Sequence, residues 1–294
     1  MTDSEFSIDA LVPQEMARKA EKTGVAKIGL GPLRIVALSV LAGVFIALGS
    51  IFATTVTTGG GELPFGVNKL LGGFVFSLGL ILVIGAGAEL FTGNNLIVMA
   101  WADRKISSRQ LLGNWSLVYI GNFVGALMAV VMLYLSEQWA FDGGEIGLNA
   151  LNIANHKVQL DFVPAIFLGI LCNALVCLAV WLSIGARTVT DKILAIIFPI
   201  TAFVAAGFEH SVANMYFVPM GLFIKWFAPA GFWSQVGASA ADYPELTWGN
   251  FFVANLLPVT IGNIIGGAVM VGLVYWFIYL RPSWTGRARM RAEG

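Results

Sequence analysis

Two short stretches place acid, amide and imidazole side chains inside otherwise apolar sequence. The first reads Gly87-Ala88-Glu89-Leu90-Phe91-Thr92-Gly93-Asn94, the second Gly207-Phe208-Glu209-His210-Ser211-Val212-Ala213-Asn214, and both follow G-x-E-x-x-x-x-N. A glutamate within a membrane is costly and marks a functional site by default. His210 carries the sharpest chemistry, because imidazole changes charge near neutral pH while desolvation favours its neutral form. An anion arriving beside it would draw a proton back onto the ring, which suits a passage where a small acid crosses an apolar barrier. A buried histidine that merely ties two helices together is the competing reading. Glu89 and Glu209 could carry protons or repel wrong ions; neutral or hydrogen-bonded, they would instead hold the local backbone in shape. Thr92 offers a hydroxyl either to a substrate or as a cap for the helix that follows.

A second pair of motifs follows the first in each half: Gly121-Asn122-Phe123-Val124-Gly125 and Gly262-Asn263-Ile264-Ile265-Gly266, both G-N-x-x-G. Asn173 and Asn263 stand in apolar stretches, where interhelical hydrogen bonding is the common use of an amide. Lys157, beside His156, could attract anions to a pore mouth, or it could be a solvated loop lysine. Phe76, Leu80, Leu90, Phe91 and Phe203 could form constrictions, but taken alone they read as core packing. Enzyme signatures are absent. The run Gly85-Ala86-Gly87-Ala88-Glu89-Leu90 lacks the third glycine of a dinucleotide loop and follows no soluble strand. The two histidines adjoin no Cys or Asp/Glu cluster, and Cys172 and Cys177 are spaced neither as metal ligands nor as a redox pair, so they read as inert buried thiols. No catalytic residue, cofactor or metal is expected. The Asn114-Trp115-Ser116 sequon sits at a cytoplasmic membrane edge and reads as accidental.

The elements that position these residues follow from composition. Charged residues make up 12% of the 294 and apolar residues 57%, whereas a soluble domain carries roughly a quarter charged. The 34 glycines suit membrane helices that approach closely. A net charge of zero excludes the basic footprint of nucleic-acid binding. Apolar runs at about 35–57, 70–101, 110–136, 162–186, 193–228 and 248–280 each reach the roughly 20 residues that span a bilayer, so the fold class is all-α integral membrane with six transmembrane helices. Arg18, Lys19, Lys22, Lys27, Arg34, then Arg104, Lys105, Arg109, then Arg187, Lys192, then Arg281, Arg287, Arg289 and Arg291 all fall on one side, while the loops Gly59–Leu63, Ser136–Asp161 and Gly231–Thr247 carry little positive charge. Both termini are thereby cytoplasmic. The acidic start is no signal peptide, and Ile8–Ala20 has the spacing of an amphipathic helix on the cytoplasmic face.

The paired motifs recur in the same order, and each half holds three spans. An odd number means that the second half sits inverted relative to the first. The motifs fall on the second and fifth spans, which are over-long and carry glycine, asparagine and threonine, poor helix formers that bond free backbone. Both helices are therefore expected to break there, which a membrane tolerates only where the backbone is packed in protein or lines a cavity. The chain reads as one membrane domain, 1–294: a cytoplasmic helix (1–30), two inverted three-helix repeats (31–150 and 151–280) and a cytoplasmic tail (281–294).

Four stretches taken together, GAELFTGN (87–94), GILCNALVCLAVW (169–181), GFEHSVANM (207–215) and PVTIGNIIGG (258–267), resemble the formate/nitrite transporter family over essentially the whole chain. The resemblance implies a homopentamer in the bacterial inner membrane, an aquaporin-like protomer with its own pore, and passage of small monovalent anions, formate foremost and nitrite or hydrosulfide as alternatives. It implies that His210 is the central pore histidine, flanked by Thr92 and Asn173 and supported by Glu209 and Asn263, with Glu89 at the matching first break and Lys157 in a vestibule. It also implies that Phe76, Leu80, Leu90, Phe91, Phe203 and Val176 line two hydrophobic constrictions. Gly93-Asn94-Asn95 departs from the small hydroxyl residues often found after the threonine, which bears on substrate ranking. A neutral-solute channel of the aquaporin or ammonium type should carry paired Asn-Pro-Ala or paired pore histidines, and neither is present.

Overall fold

The computed structural model describes residues 10–281; Ile8 of the expected N-terminal helix and the arginines after Arg281 lie outside the described residues. The chain is built of helices, with no strand among the described residues. A surface helix α1 (Pro13–Ile28) precedes the long apolar helices α2 (Pro32–Thr57) and α3 (Phe65–Ala86). The chain then breaks and resumes as short turns, α4 (Phe91–Asn94) and α5 (Val98–Ala102), before α6 (Ser108–Leu135). The second half follows the same order: α7 (Glu145–Val158), α8 (Phe162–Gly185), α9 (Val189–Ala205), a break, α10 (Ser211–Phe227), a short α11 (Ala230–Val236), and α12 (Trp248–Tyr279). Five helices, α2, α3, α6, α8 and α12, are long and apolar enough to cross a membrane. The expected fifth span is two 17-residue pieces, α9 and α10.

The helix starts are encoded locally. Ser107 accepts from the Gln110 N–H, and Thr188 accepts from the Asp191 N–H, in each case with the third residue's side chain closing a capping box. The N-terminal helix begins later and runs further than its expected bounds of Ile8–Ala20, because Pro13 occupies a first-turn position that suits proline and the apolar face continues through Gly24. The segment expected as a loop at Ser136–Asp161 contains α7. Its buried face of Ile146, Ala150, Leu151, Ala154 and Val158 has helical spacing.

Close packing explains the G-N-x-x-G glycines. A side chain on Gly125 would bring its Cβ to 2.0 Å from the Val40 carbonyl oxygen, and on Gly266 to 2.1 Å from that of Ile170. Thus α6 presses on α2 as α12 presses on α8, with backbones at the distance that only glycine permits. Between the halves, α3 packs along α9, and the hydroxyls of Tyr119 on α6 and Thr260 on α12 hydrogen-bond at 2.7 Å. These two residues hold equivalent places, each two before its motif glycine.

Candidate functional site

The two breaks are built alike. Gly87 and Gly207 adopt left-handed backbone, φ 71° and 73°, which glycine takes without strain. The next amides, Ala88 and Phe208, turn back to the carbonyls of Val83 (2.9 Å) and Phe203 (3.0 Å), closing each helix in the manner of a Schellman cap. The chain then runs extended, and the Glu89 and Glu209 amides donate to Leu38 O (3.2 Å) and Leu168 O (3.3 Å) on neighbouring helices. The asparagine of each G-N-x-x-G motif completes the repair. Asn122 Oδ1 accepts from the Phe91 N–H (2.9 Å), while its Nδ2 donates to Glu89 O (2.9 Å) and Ser39 O (2.8 Å). Asn263 does the same with the Ser211 N–H (2.9 Å), Glu209 O (2.9 Å) and Gly169 O (2.8 Å). A buried backbone group left without a partner costs about 1–3 kcal/mol, so one amide per half makes each break tolerable.

Both carboxylates are buried and ion-paired. Glu209 Oε1 lies 2.8 Å from Lys157 Nζ, and its Oε2 accepts from Asn214 Nδ2 at 2.6 Å, with Asn255 Oδ1 accepting from the same Nδ2 at 2.7 Å. In the first half Glu89 Oε1 lies 2.9 Å from Lys27 Nζ, Oε2 accepts from Asn94 Nδ2 at 2.6 Å, and Asn114 Oδ1 accepts from that Nδ2 at 3.1 Å. Each glutamate thus bridges a lysine of another helix and the asparagine five residues further along its own segment. The Lys157 side chain is only 13% exposed, which removes the solvated-loop reading. Sequence reasoning used Lys27 only to orient the chain, and missed Asn114 and Asn255. The amides had a signal: Asn114 and Asn255 each stand seven residues before the motif glycine, giving N-x6-G-N-x-x-G twice. Lys27 had none, since its partner is 62 residues away in sequence.

His210 closes the second break. Its Nδ1 accepts from the Ala213 N–H at 3.0 Å, so the ring caps α10. A nitrogen that accepts carries no proton, and the neutral ring must therefore hold its proton on Nε2. That nitrogen lies 3.0 Å from Thr92 Oγ1. With Nε2–H donating, the threonine hydroxyl accepts, and its own proton is left to offer. Thr92 does not cap α4, whose N-terminal residue Leu90 provides no side-chain bond. Asn173 Nδ2 contacts the Thr92 carbonyl (3.3 Å), Asn95 Oδ1 (3.1 Å) and the Asn263 carbonyl (2.7 Å), and so joins both breaks. The Phe203 ring stacks beside the imidazole, centroids 5.9 Å apart.

Two cavities approach this pair along α3. Asn68, Lys69, Gly72 and Phe76 line one of about 380 Å³, together with His156, Lys157, Phe203, Glu209 and His210. Leu80, Val83, Ile84 and Gly87 line the other, of about 280 Å³, together with Lys19, Lys27, Glu89, Leu90, Asn94 and Lys192. Phe76 and Phe203 thus bound the first cavity, and Leu80 and Leu90 the second. Thr92, Asn173, Val176 and Phe91 line neither; all four are buried. Phe91 packs edge-on against Tyr119, centroids 4.8 Å apart. The arrangement offers lysines in both cavities, apolar side chains within, and at the buried pair one donor left free, the Thr92 hydroxyl, beside the imidazole. These are the means to draw in an anion, strip its water and hold it briefly.

A model of the formate/nitrite transporter family matches residues 14–277. The formate channel FocA of Escherichia coli strain K12 is 50% identical over 94% of this chain and 96% of its own length. FocA of Haemophilus influenzae is 43% identical over 92% and 95%. Among solved structures, a pentameric formate channel with formate bound superposes with a TM-score of 0.80 at 46% identity, covering 85% of this chain and 98% of that one. An FNT family ion channel reaches 0.77 at 30% identity, over 90% and 98%. The chain belongs to the formate/nitrite transporter family.

Proposed function

We propose that this protein is a channel for formate, and for other small monovalent anions, across the bacterial inner membrane, assembled as a homopentamer with a pore in each protomer. The observation that carries the reading is the Thr92–His210 pair, set between two cavities that enter from opposite ends of α3. Both termini lie in the cytoplasm. The cavity beside Lys157 then opens outward, the cavity beside Lys27 inward, and the boundaries 1–30, 31–150, 151–280 and 281–294 separate helix, repeats and tail.

Formate collects in the cavities that Lys157 and Lys27 line, where Lys69 on one side and Lys19 and Lys192 on the other add positive charge. Phe76 and Phe203 on one side, and Leu80, Leu90, Phe91 and Val176 on the other, exclude its water. An ionised group in mid-membrane costs at least roughly 3 kcal/mol, so the anion crosses only with compensation. The His210 Nε2–H, turned from Thr92 Oγ1 to the substrate, and the Thr92 hydroxyl supply it as two hydrogen-bond donors to the carboxylate oxygens; a proton taken up at Nδ1, in exchange for the Ala213 N–H bond, makes the ring an imidazolium that can share its Nε2 proton with the substrate. Asn173, Asn263, Glu89 and Glu209 keep the donors in place.

Purified protein in liposomes tests the assignment, with formate, nitrite, hydrosulfide, chloride and water flux measured across a pH series. Formate-selective flux whose pH dependence changes in His210→Asn supports both channel and histidine. Unchanged pH dependence removes the proton-sharing role, and flux of nitrite or hydrosulfide in preference to formate moves the substrate assignment. Water flux alone overturns the anion channel.

A further inference from the structure

The two breaks share their backbone repair but differ in what lies behind them. On α6, Trp115, Tyr119 and Asn122 fall at helical spacing on one face, and all three hold the segment 91–94. Trp115 Nε1 donates to Asn94 O (3.0 Å), the Tyr119 ring packs on Phe91, and Asn122 Oδ1 accepts the Phe91 N–H. Trp115 also meets Phe91 edge-on, centroids 6.3 Å apart. The matching face of α12 carries Leu256, Thr260 and Asn263. There only the asparagine grips the break, because Ser211 stands where Phe91 stands in the first half. Thr260 is thereby free to face the other half, and its hydroxyl meets Tyr119.

From this asymmetry we infer that the Tyr119–Thr260 hydrogen bond is a positioning device for Phe91, so that the seam between the two halves sets the width of the inner constriction. The inference rests on the channel reading above and on Phe91 serving as a barrier residue. Tyr119 is mostly buried, and a phenol without its partner would reorient; the edge-to-face ring contact, which depends on angle, would then no longer fix Phe91. The outer constriction has no such tie. Phe76 and Phe203 hold one another edge-on at 5.7 Å, and Phe217 stacks on Phe76 at 6.5 Å. Tyr119 and Thr260 are positioning residues, with no contact to substrate.

The test is the flux ratio of acetate to formate in liposomes. Tyr119→Phe and Thr260→Val should each raise it roughly three- to fivefold, the scale of one lost hydrogen bond. The double variant should show no more than the larger single effect, and Thr260→Ser, which keeps the hydroxyl, should behave as the parent. A ratio unchanged in Tyr119→Phe, or single effects that add, overturns the inference; should Thr260→Val fail to fold, Tyr119→Phe and Thr260→Ser decide alone. If the parent prefers another anion to formate, the substrate assignment fails, and the same ratio is read between that anion and its next larger homologue. If it passes no anion, the channel reading fails separately. The structure of Tyr119→Phe then decides: a Phe91 ring in its parental place overturns the tie, and a displaced ring supports it.

Discussion

Lys27 stands to Glu89 as Lys157 stands to Glu209: each ammonium meets Oε1 of its carboxylate, at 2.9 and 2.8 Å. The helix before the first span thus makes the same ion pair to its break as the helix before the fourth. Two differences remain, of opposite sense. Asn255 Nδ2 donates to the Lys157 carbonyl at 2.8 Å, whereas Asn114 Nδ2 has no partner among the described residues. Conversely, Lys27 Nζ also donates to Asn94 Oδ1 at 2.8 Å, while the equivalent Asn214 Oδ1 has no partner among the described residues.

Removing Lys27 strands a buried carboxylate. We expect Lys27→Met to lower stability by on the order of 3 kcal/mol, the low end for breaking a buried pair, since the lysine is itself 26% exposed. Lys27→Met with Glu89→Gln should recover much of the loss, because an amide replaces the stranded charge. Unfolding of the four proteins in detergent checks this; equal instability of single and double variants would count against the ion pair.

Asn122 and Asn263 perform the same repair and should carry similar weight. Asn122→Leu and Asn263→Leu each leave one amide and two carbonyls of a break without that side chain, and each should cost at least about 1–3 kcal/mol. Unfolding midpoints that differ widely between the two variants would show that the halves are not energetically equivalent.

The His210 ring has a structural duty beside its proposed chemical one. Loss of an N-cap costs about 0.5–2 kcal/mol, and asparagine is among the best replacements. His210→Asn should therefore keep the stability of the parent while changing transport, and His210→Ala should lose both. An alanine variant as stable as the parent would mean that the Ala213 N–H bond contributes nothing.

Glu21 of α1 pairs with Lys105, which also lies 3.4 Å from Asp103. Burial pushes the Glu21 carboxyl above its ordinary value, against the opposing pull of Lys105. Seated α1 thus binds that proton more tightly than released α1. The contribution is complete at pH below the ordinary glutamate value and is lost as pH rises through the raised one. Amide exchange of residues 13–28, corrected for intrinsic rates, should show protection falling over the interval just above about pH 4.3, and Glu21→Gln should flatten the trend. Protection that rises with pH would mean the Lys105 pair outweighs burial.

Much of the site was legible from residue type alone. The helix breaks at 87–90 and 207–210 followed from glycine beside glutamate in runs too long for one span, and they fall as expected. The first and third spans were placed within a few residues, since composition and length set where an apolar helix can lie. The expected loop at Ser136–Asp161 hid α7, because its apolar face is short and mild, and pattern reasoning tuned to long runs passes over it. Asn114 reads as an accidental sequon in sequence, yet its carbonyl oxygen accepts from Asn94 in the interior.

Sequence by itself determined that this chain is apolar enough to enter a membrane, where its long apolar helices lie and where two further runs break. Those properties depend on local hydropathy, on charge and on which residues tolerate a broken backbone, all of which act within a few neighbours. Tertiary structure decided which lysine pairs with which glutamate, that His210 Nδ1 meets the Ala213 N–H, and that Thr92 faces Nε2 from a segment 118 residues away. Such pairings arise because folding brings remote polar groups into a space without water, where each must find a partner, and no local pattern records which partner that is.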